Sequence, residues 1–409
     1  MMKKCIFVLI YILLISSVGC WDRKDIETRG FVLGIAIDDY PPIPTGGATT
    51  QNESKPEEEK KFELMQTHVG RPTYAMTVQI PIIKKATFRS SSFEGTGTGG
   101  PATHEITQVG NSFFSMTREI SSRLELTPYY EHLQALVVSE DVARKGLHEV
   151  LDFFIRDHEM RRRTRIFVSK GEAKKVLDVV PRIEDYSAIL LAKLPLNSTV
   201  NSRLIQQTDL GLAIENIHKR NDFILPYVEA TKDEIKSLGA AICKDGKMVG
   251  WISPIEVEYI KHIRGLYEGG VLNIKDPYHE KAIVTLEIAS SKRKITPICE
   301  GDKPKFKIDL RIRGSISEYA NLKYHDLLDE NELTVLEDAF ASKLKEECQT
   351  VINSIQERYG ADVFHFNTIL KTRKPDYWEQ INKQWHDIFP TVEVDVSAQV
   401  KIAHVGNIR

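Results

Sequence analysis

The residue whose type and setting most clearly invite chemistry is Cys20. It follows Ser16-Ser17-Val18-Gly19, small residues that close an apolar run over 6–15, and Lys3 and Lys4 precede that run. A charged start, an apolar stretch of about ten residues and small residues at a cut site form the layout of a secretory signal. A membrane-spanning helix needs about twenty apolar residues, so this run is too short to be one. Val18-Gly19-Cys20 resembles a lipobox. Cleavage before Cys20 would leave its thiol to carry diacylglycerol and its new α-amine a further acyl chain. Each buried CH₂ contributes roughly 0.8 kcal/mol, so two or three chains hold a protein on a bilayer. Cys20 is therefore the expected lipidation site and residues 1–19 the expected signal peptide. The rest is an extracytoplasmic chain tethered by its N-terminus; an ordinary signal with a chance cysteine is the plainer alternative.

The remaining reactive residue types form weaker patterns. Cys5 leaves with the signal, and Cys243, Cys299 and Cys348 are odd in number with no CxxC spacing, so buried thiols are expected rather than a zinc site or disulfide framework. Arg161, Arg162 and Arg163, flanked by Arg156 and Arg165, put five arginines in ten residues. Such a cluster suits phospholipid headgroups or an acidic partner. The plainer reading pairs it with Asp157, Glu159 and other acids. Gly95-Thr96-Gly97-Thr98-Gly99-Gly100 matches GxGxxG, but polar residues separate it from any strand and Pro101 follows, so it reads as a loop. Asp157-His158-Glu159 and Tyr278-His279-Glu280 lack the ligand spacing of a shared metal. Trp378 and Trp385, seven apart on one helical face, suit a sugar or peptide site and suit core packing better. No GxSxG, HExxH, P-loop or EF-hand loop is present. No catalytic, cofactor or metal residues are expected, and the chain does not read as an enzyme.

Charge excludes a further class. The formal net charge is −2, and losing residues 1–19 removes Lys3 and Lys4 and no acid, giving −4. With export, this argues against a nucleic-acid partner.

The elements that must position these residues suggest an α+β or mixed α/β protein of about three domains. The expected division is 20–200, a mixed α/β domain; 201–280, a middle domain or connector with a hairpin at 237–253; and 281–409, an α+β domain. Strands are expected over 30–38, within 62–83 split near 70–72, and over 133–138 and 165–168. Apolar steps at Ile106, Val109, Phe113, Met116, Ile120 and Leu124 predict one helix over 104–126. Helices follow over 142–155, 172–180 and 208–219. Asp245-Gly246 between two apolar runs is a hairpin signal, with a helix over 254–267 after it. Two strands, 282–289 and 294–300, are expected to be joined by Ser290-Ser291-Lys292. Residues 305–316 alternate as one wet-faced strand. A helix of about thirty residues is expected to open at Asp329 with Glu332 in a capping box. Its apolar stripe includes Cys348, and Gly360 stops it. Shorter helices over 363–370 and 375–386 and a strand over 392–402 complete an antiparallel sheet packed against the long helix.

Several stretches together resemble a known family. Cys20-Trp21-Asp22-Arg23-Lys24-Asp25-Ile26-Glu27, running into Gly34-Ile35-Ala36-Ile37-Asp38, is similar to the mature start of the Ger(x)C spore-germination lipoproteins, the C subunits of GerA-type germinant receptors. So are the stretch 132–170, the hairpin Gly246-Lys247-Met248-Val249-Gly250-Trp251, and Gly360-Ala361-Asp362-Val363-Phe364 continuing through Trp378, Trp385 and Phe389-Pro390. The resemblance implies a three-domain, non-enzymatic protein on the outer face of the spore inner membrane. It also implies two integral-membrane partner subunits, one transporter-like, in a complex that answers nutrients by ending dormancy. Only Cys20, as the acylation site, carries over residue by residue. An autonomous lipid-anchored solute-binding protein is the alternative. That class has two similar lobes around a hinge, and no internal duplication is visible. The Pro/Gly/Thr/Glu-rich segment at 39–60 looks longer than is usual for the family.

Overall fold

The computed structural model describes residues 28–40, 72–82, 102–206, 209–278, 281–301, 303–319 and 329–405. Cys20, the Gly95–Gly100 motif, most of the segment at 39–60 and the first strand expected within 62–83 lie outside the described residues.

Four parallel strands form the centre of an eight-stranded sheet: β2 (Gly34–Tyr40), β6 (Ala135–Ser139), β7 (Arg165–Ser169) and β8 (Phe223–Ala230). Ala135-Leu136-Val137-Val138 is wholly buried, so these strands read as continuous apolar runs rather than alternating ones. Antiparallel pairs widen the sheet on both sides, with β3 (Thr73–Pro81) and β4 (Thr103–Gly110) beyond β2, and β9 (Ile235–Lys244) and β10 (Lys247–Ile252) beyond β8. The order is β10-β9-β8-β7-β6-β2-β3-β4. A separate parallel pair joins β1 (Arg29–Phe31) to β5 (Thr127–Tyr129). The hairpin expected in a middle connector is thus an edge of this sheet.

Helices cover both faces. On one, α1 (Phe113–Ser121), α3 (Leu147–Arg156) and α6 (Leu210–Lys219) pack Phe113, Met116, Leu151, Phe154 and Ile214 against Ile35, Ile37, Met76 and Val78. On the other, α4 (Ala173–Asp178) and α5 (Ser187–Lys193) set Val176, Leu177 and Leu191 on Ala36, Val137 and Phe167. Gly34 permits that approach, because an added Cβ would sit 2.9 Å from the Cβ of Ala188. At the end of β2, Asp38 accepts the backbone N–H groups of Ala173 (2.5 Å) and Lys174 (2.9 Å), so its carboxylate caps α4.

The single helix expected over 104–126 is instead strand β4 followed by α1. Thr103, Ile106, Thr107 and Val109 are β-branched, and the segment pairs with β3 residue for residue, from Thr103 on Pro81 to Gly110 on Tyr74. The helix expected over 142–155 is broken at Gly146, whose φ of 143° lies outside helical space, into α2 (Glu140–Lys145) and α3.

The second sheet has four strands, β11 (Val271–Lys275), β12 (Ile283–Ile298), β13 (Lys305–Tyr319) and β14 (Glu393–His404). Residues 290–292, expected as a turn, are mid-strand: Ser290, Ser291 and Lys292 pair with Arg313, Ile312 and Arg311, past an irregularity at 288–290. The long partner β13 offers a ladder throughout, and a bulge absorbs the local mismatch. β14 runs parallel to β13, so the sheet is mixed rather than wholly antiparallel. The reason is α8 (Glu330–Arg358), whose 29 residues, about 44 Å at 1.5 Å each, carry the chain back to the starting end. Asp329 caps this helix through Asn331 N at 2.7 Å, not through Glu332 as in a capping box. Leu336, Phe340, Leu344, Cys348, Ile352 and Ile355 form its buried stripe. From β10, α7 (Pro254–Arg264) leads into this unit with a Ser253–Glu256 capping box, and Val257, Ile260 and Ile263 share one core with Ile242, Ile252, Phe340 and Ile352.

Candidate interfaces and the junction between the sheets

The arginine cluster lies on the loop between α3 and β7. Backbone bonds fix that loop to the start of α6, since Gly211 N donates to Arg162 O at 2.8 Å and Leu210 N to Thr164 O at 2.8 Å. Buried Thr164 also donates its hydroxyl to Leu133 O at 3.1 Å. Arg161 pairs with Glu131 at 3.0 Å, and Arg156 with Asp152 at 2.8 Å, so the acids engaged are not Asp157 and Glu159. The Tyr129 hydroxyl and then Arg161 hold the Glu131 carboxyl below the usual carboxylate range. Tyr129 in turn lies under the Arg29 guanidinium, 4.0 Å from the ring centre. One run of contacts therefore links Arg161 to the start of the described chain. Arg162 and Arg163 are exposed and, with Arg165, Asp209 and Glu215, line an open cleft of about 650 Å³.

The residues around 360 and 250 that resemble the family have a structural explanation. They join the two sheets. Gly360, at a φ of 54°, ends the long helix, and its carbonyl accepts Lys244 Nζ from β9 at 2.7 Å. Tyr359 donates its hydroxyl to Trp251 O on β10 at 2.7 Å, and Arg358 reaches Glu256 of α7 at 2.8 Å. At the centre is Asp362. Its carboxylate accepts N–H groups from Phe366 (3.0 Å), Asn367 (2.8 Å) and the Trp385 indole (3.1 Å). Its own N–H donates to Asp222, at the foot of β8, at 2.7 Å. Burial above all pushes the Asp362 carboxyl up to about 7, and burial raises Asp222 as well. Trp385 is core, packed among Phe306 and Phe389, and Trp378 leans on it edge-to-face at 5.7 Å. Neither Asp222 nor Asp362 carries a sequence motif, because the pair exists only once residues 140 apart are brought together.

Cys243 and Cys348 are buried, and Cys299 is partly exposed. Burial raises all three thiols. Among the described residues no group of His, Cys, Asp or Glu has the placement to hold a metal, and no helix is long and apolar enough to cross a membrane.

This architecture agrees with the comparisons to known proteins. Residues 22–230 match the spore germination protein N-terminal domain, and residues 238–406 match the spore germination B3/GerAC-like C-terminal family. The chain is 29% identical over 406 residues to spore germination protein YndF of Bacillus subtilis, covering 98% of this chain and 96% of that one. It is 25% identical to spore germination protein B3 of the same organism, covering 98% of each. The crystal structure of the GerBC protein superposes with a TM-score of 0.58 at 24% identity, over 81% of this chain and 94% of that one, and so shares its fold. The chain belongs to the Ger(x)C family of spore germination proteins.

Proposed function

We propose that this chain is a lipid-anchored, non-enzymatic subunit of a nutrient germinant receptor. It is acylated on Cys20, sits on the outer face of the spore inner membrane, and assembles there with two integral-membrane subunits, one of them transporter-like. The observation that carries this reading is the end-to-end match, in one order, to families of germination proteins. Anchoring has geometric support. Seven residues separate Cys20 from Thr28, where the described chain begins, so over those eight steps the lipid lies within about 30 Å of β1 at the 3.3–3.6 Å per residue of an extended chain. Contacts run from Arg29 through Tyr129 and Glu131 to Arg161, which supports an arginine cluster close to that anchor. Arg161, Arg162 and Arg163 are therefore the residues we assign to the membrane surface or to a membrane-embedded partner. The two sheets differ in size and topology, unlike the similar lobes of an autonomous solute-binding protein.

Affinity purification of a tagged copy from spore membranes in mild detergent tests the assembly. Two co-encoded membrane proteins are expected in the eluate, and recovery of the lipoprotein alone from functional membranes would sink the receptor reading. Cys20→Ala is expected to release the protein or leave its signal uncleaved; normal membrane retention of a processed chain would rule out the anchor.

A further inference from the structure

We propose that the cleft between α6 and the segment formed by α9 (Phe366–Arg373), α10 (Pro375–Ile381) and α11 (Trp385–Ile388) binds a small anion carrying two or more carboxylate or phosphate charges. The cleft measures about 830 Å³, within the range of roughly 300–1,000 Å³ typical of small-molecule sites. Its charge is opposite to that of the chain. Five cationic side chains face two carboxylates there, whereas the whole sequence carries −2. One of the five, Lys219, is neutralised by Glu215 at 2.5 Å, and the second carboxylate, Asp245, lies 3.4 Å from His386. The other four, Arg220, Arg264, Lys371 and Lys383, have no ion-pair or hydrogen-bond partner for their side chains among the described residues.

Arg264 is the centre of the site. As the last residue of α7 it lines both this cleft and a smaller cavity of about 160 Å³. Burial, and then the neighbouring Arg293, lower its pKa to about 10, so the guanidinium is charged but poorly solvated. Arg264 is partly buried, and a poorly solvated cation without a close counter-charge is costly, while a planar guanidinium matches a carboxylate or phosphate through two parallel hydrogen bonds. Asp362 is the acid that acts on it, and that carboxylate is already committed to three N–H donors.

Backbone strain supplies an independent indication. Among the described residues three non-glycines have positive φ, Arg220 (53°), Asp245 (50°) and His365 (63°), and all three line this cleft. The φ of Asp245 belongs to the Asp245-Gly246 hairpin turn and His tolerates that region, but Arg220 occupies a helix end where glycine or asparagine is usual. Such strain collects where a side chain must be aimed. Trp378, backed by the buried Trp385, adds an aromatic wall for the organic part of a ligand.

The test is isothermal titration calorimetry of the full chain in mild detergent at low ionic strength, with citrate and with inorganic pyrophosphate as probes. One-to-one binding of at least one probe is expected; citrate alone identifies a carboxylate site, pyrophosphate alone a phosphate site, and both a site reading charge. Arg264→Gln is expected to weaken binding roughly ten- to a hundredfold, as loss of a charged hydrogen bond does. The double change Lys371→Gln/Lys383→Gln affects only exposed side chains, so it leaves the fold intact even where Arg264→Gln does not. It is expected to weaken binding at least threefold, while Arg163→Gln outside the cleft leaves it unchanged. No binding of either probe, or equal binding by the double variant, would overturn the site. The outcome is independent of the receptor reading, since a subunit and a free-standing protein can both hold such an anion.

Discussion

Gly250 is where the union of the two sheets is most open to direct perturbation. It lies on β10 against the face of Tyr359, and a Cβ added there would fall 2.2 Å from the ring Cε1 and 2.9 Å from Cζ and the hydroxyl. Carbon atoms in good contact stand about 3.5–4.0 Å apart, so in Gly250→Ala the ring must retreat by more than ~1 Å. The ring is not free to do so. Its hydroxyl donates to Trp251 O at 2.7 Å and accepts from Arg358 at 2.5 Å. Overpacking of this kind costs about 1–3 kcal/mol, and a lost hydrogen bond about 0.5–1.5 kcal/mol. Together they put the change at about 2–4 kcal/mol. Equilibrium urea unfolding of the full chain, followed by tryptophan fluorescence and by far-ultraviolet circular dichroism, reads it out. The strain acts between the two units, so the variant is also expected to separate the two transitions, as happens when domains no longer unfold together. The cause is checked in a Tyr359→Ala background, where Gly250→Ala should cost under about 0.5 kcal/mol because the obstructing ring is gone. An alanine at 250 that is neutral with Tyr359 present, or equally damaging without it, would refute the reasoning.

Other consequences follow from the buried polar groups. The folded chain holds the Asp362 proton more tightly than the unfolded chain does. That group's stabilising contribution is therefore complete below about pH 4 and is lost as the pH rises through 7, up to about 4 kcal/mol at roughly 1.4 kcal/mol per pH unit. The stability gap between wild type and Asp362→Asn should shift by about that much from pH 4 to 7, and a gap that does not vary with pH would contradict the burial argument. Asp38→Ala removes the cap of α4 and is expected to cost about 1–2 kcal/mol in thermal or urea unfolding; an unchanged midpoint would show the cap to be dispensable. In native alkylation with mass-spectrometric readout, Cys299 should be modified first, with Cys243 and Cys348 reacting only after unfolding. Early labelling of either buried thiol would count against the packing of α8 and β9.

Short-range patterns alone determined much of this molecule. The α8 stripe from Leu336 to Ile355, the Asp245-Gly246 hairpin, the alternation of β13 and the apolar β2, β6 and β7 were legible because each depends on neighbours within one or two turns or on a two-residue turn. The signal and lipobox proposed at Cys20 are likewise read from a linear string alone. Tertiary structure alone decided the remainder. Residues 103–110 satisfy helical spacing as well as strand spacing, and only the waiting edge of β3 selects the strand. Nothing local in β14 says that it will pair parallel to β13, since that depends on where α8 delivers it. The Asp222–Asp362 contact spans 140 residues, and the cleft around Arg264 draws on α6, α7, the hairpin tip and the segment after the long helix. Hydrophobic period and turn chemistry act over a few residues, whereas buried charge and cleft geometry arise from segments that only the closed fold brings into contact.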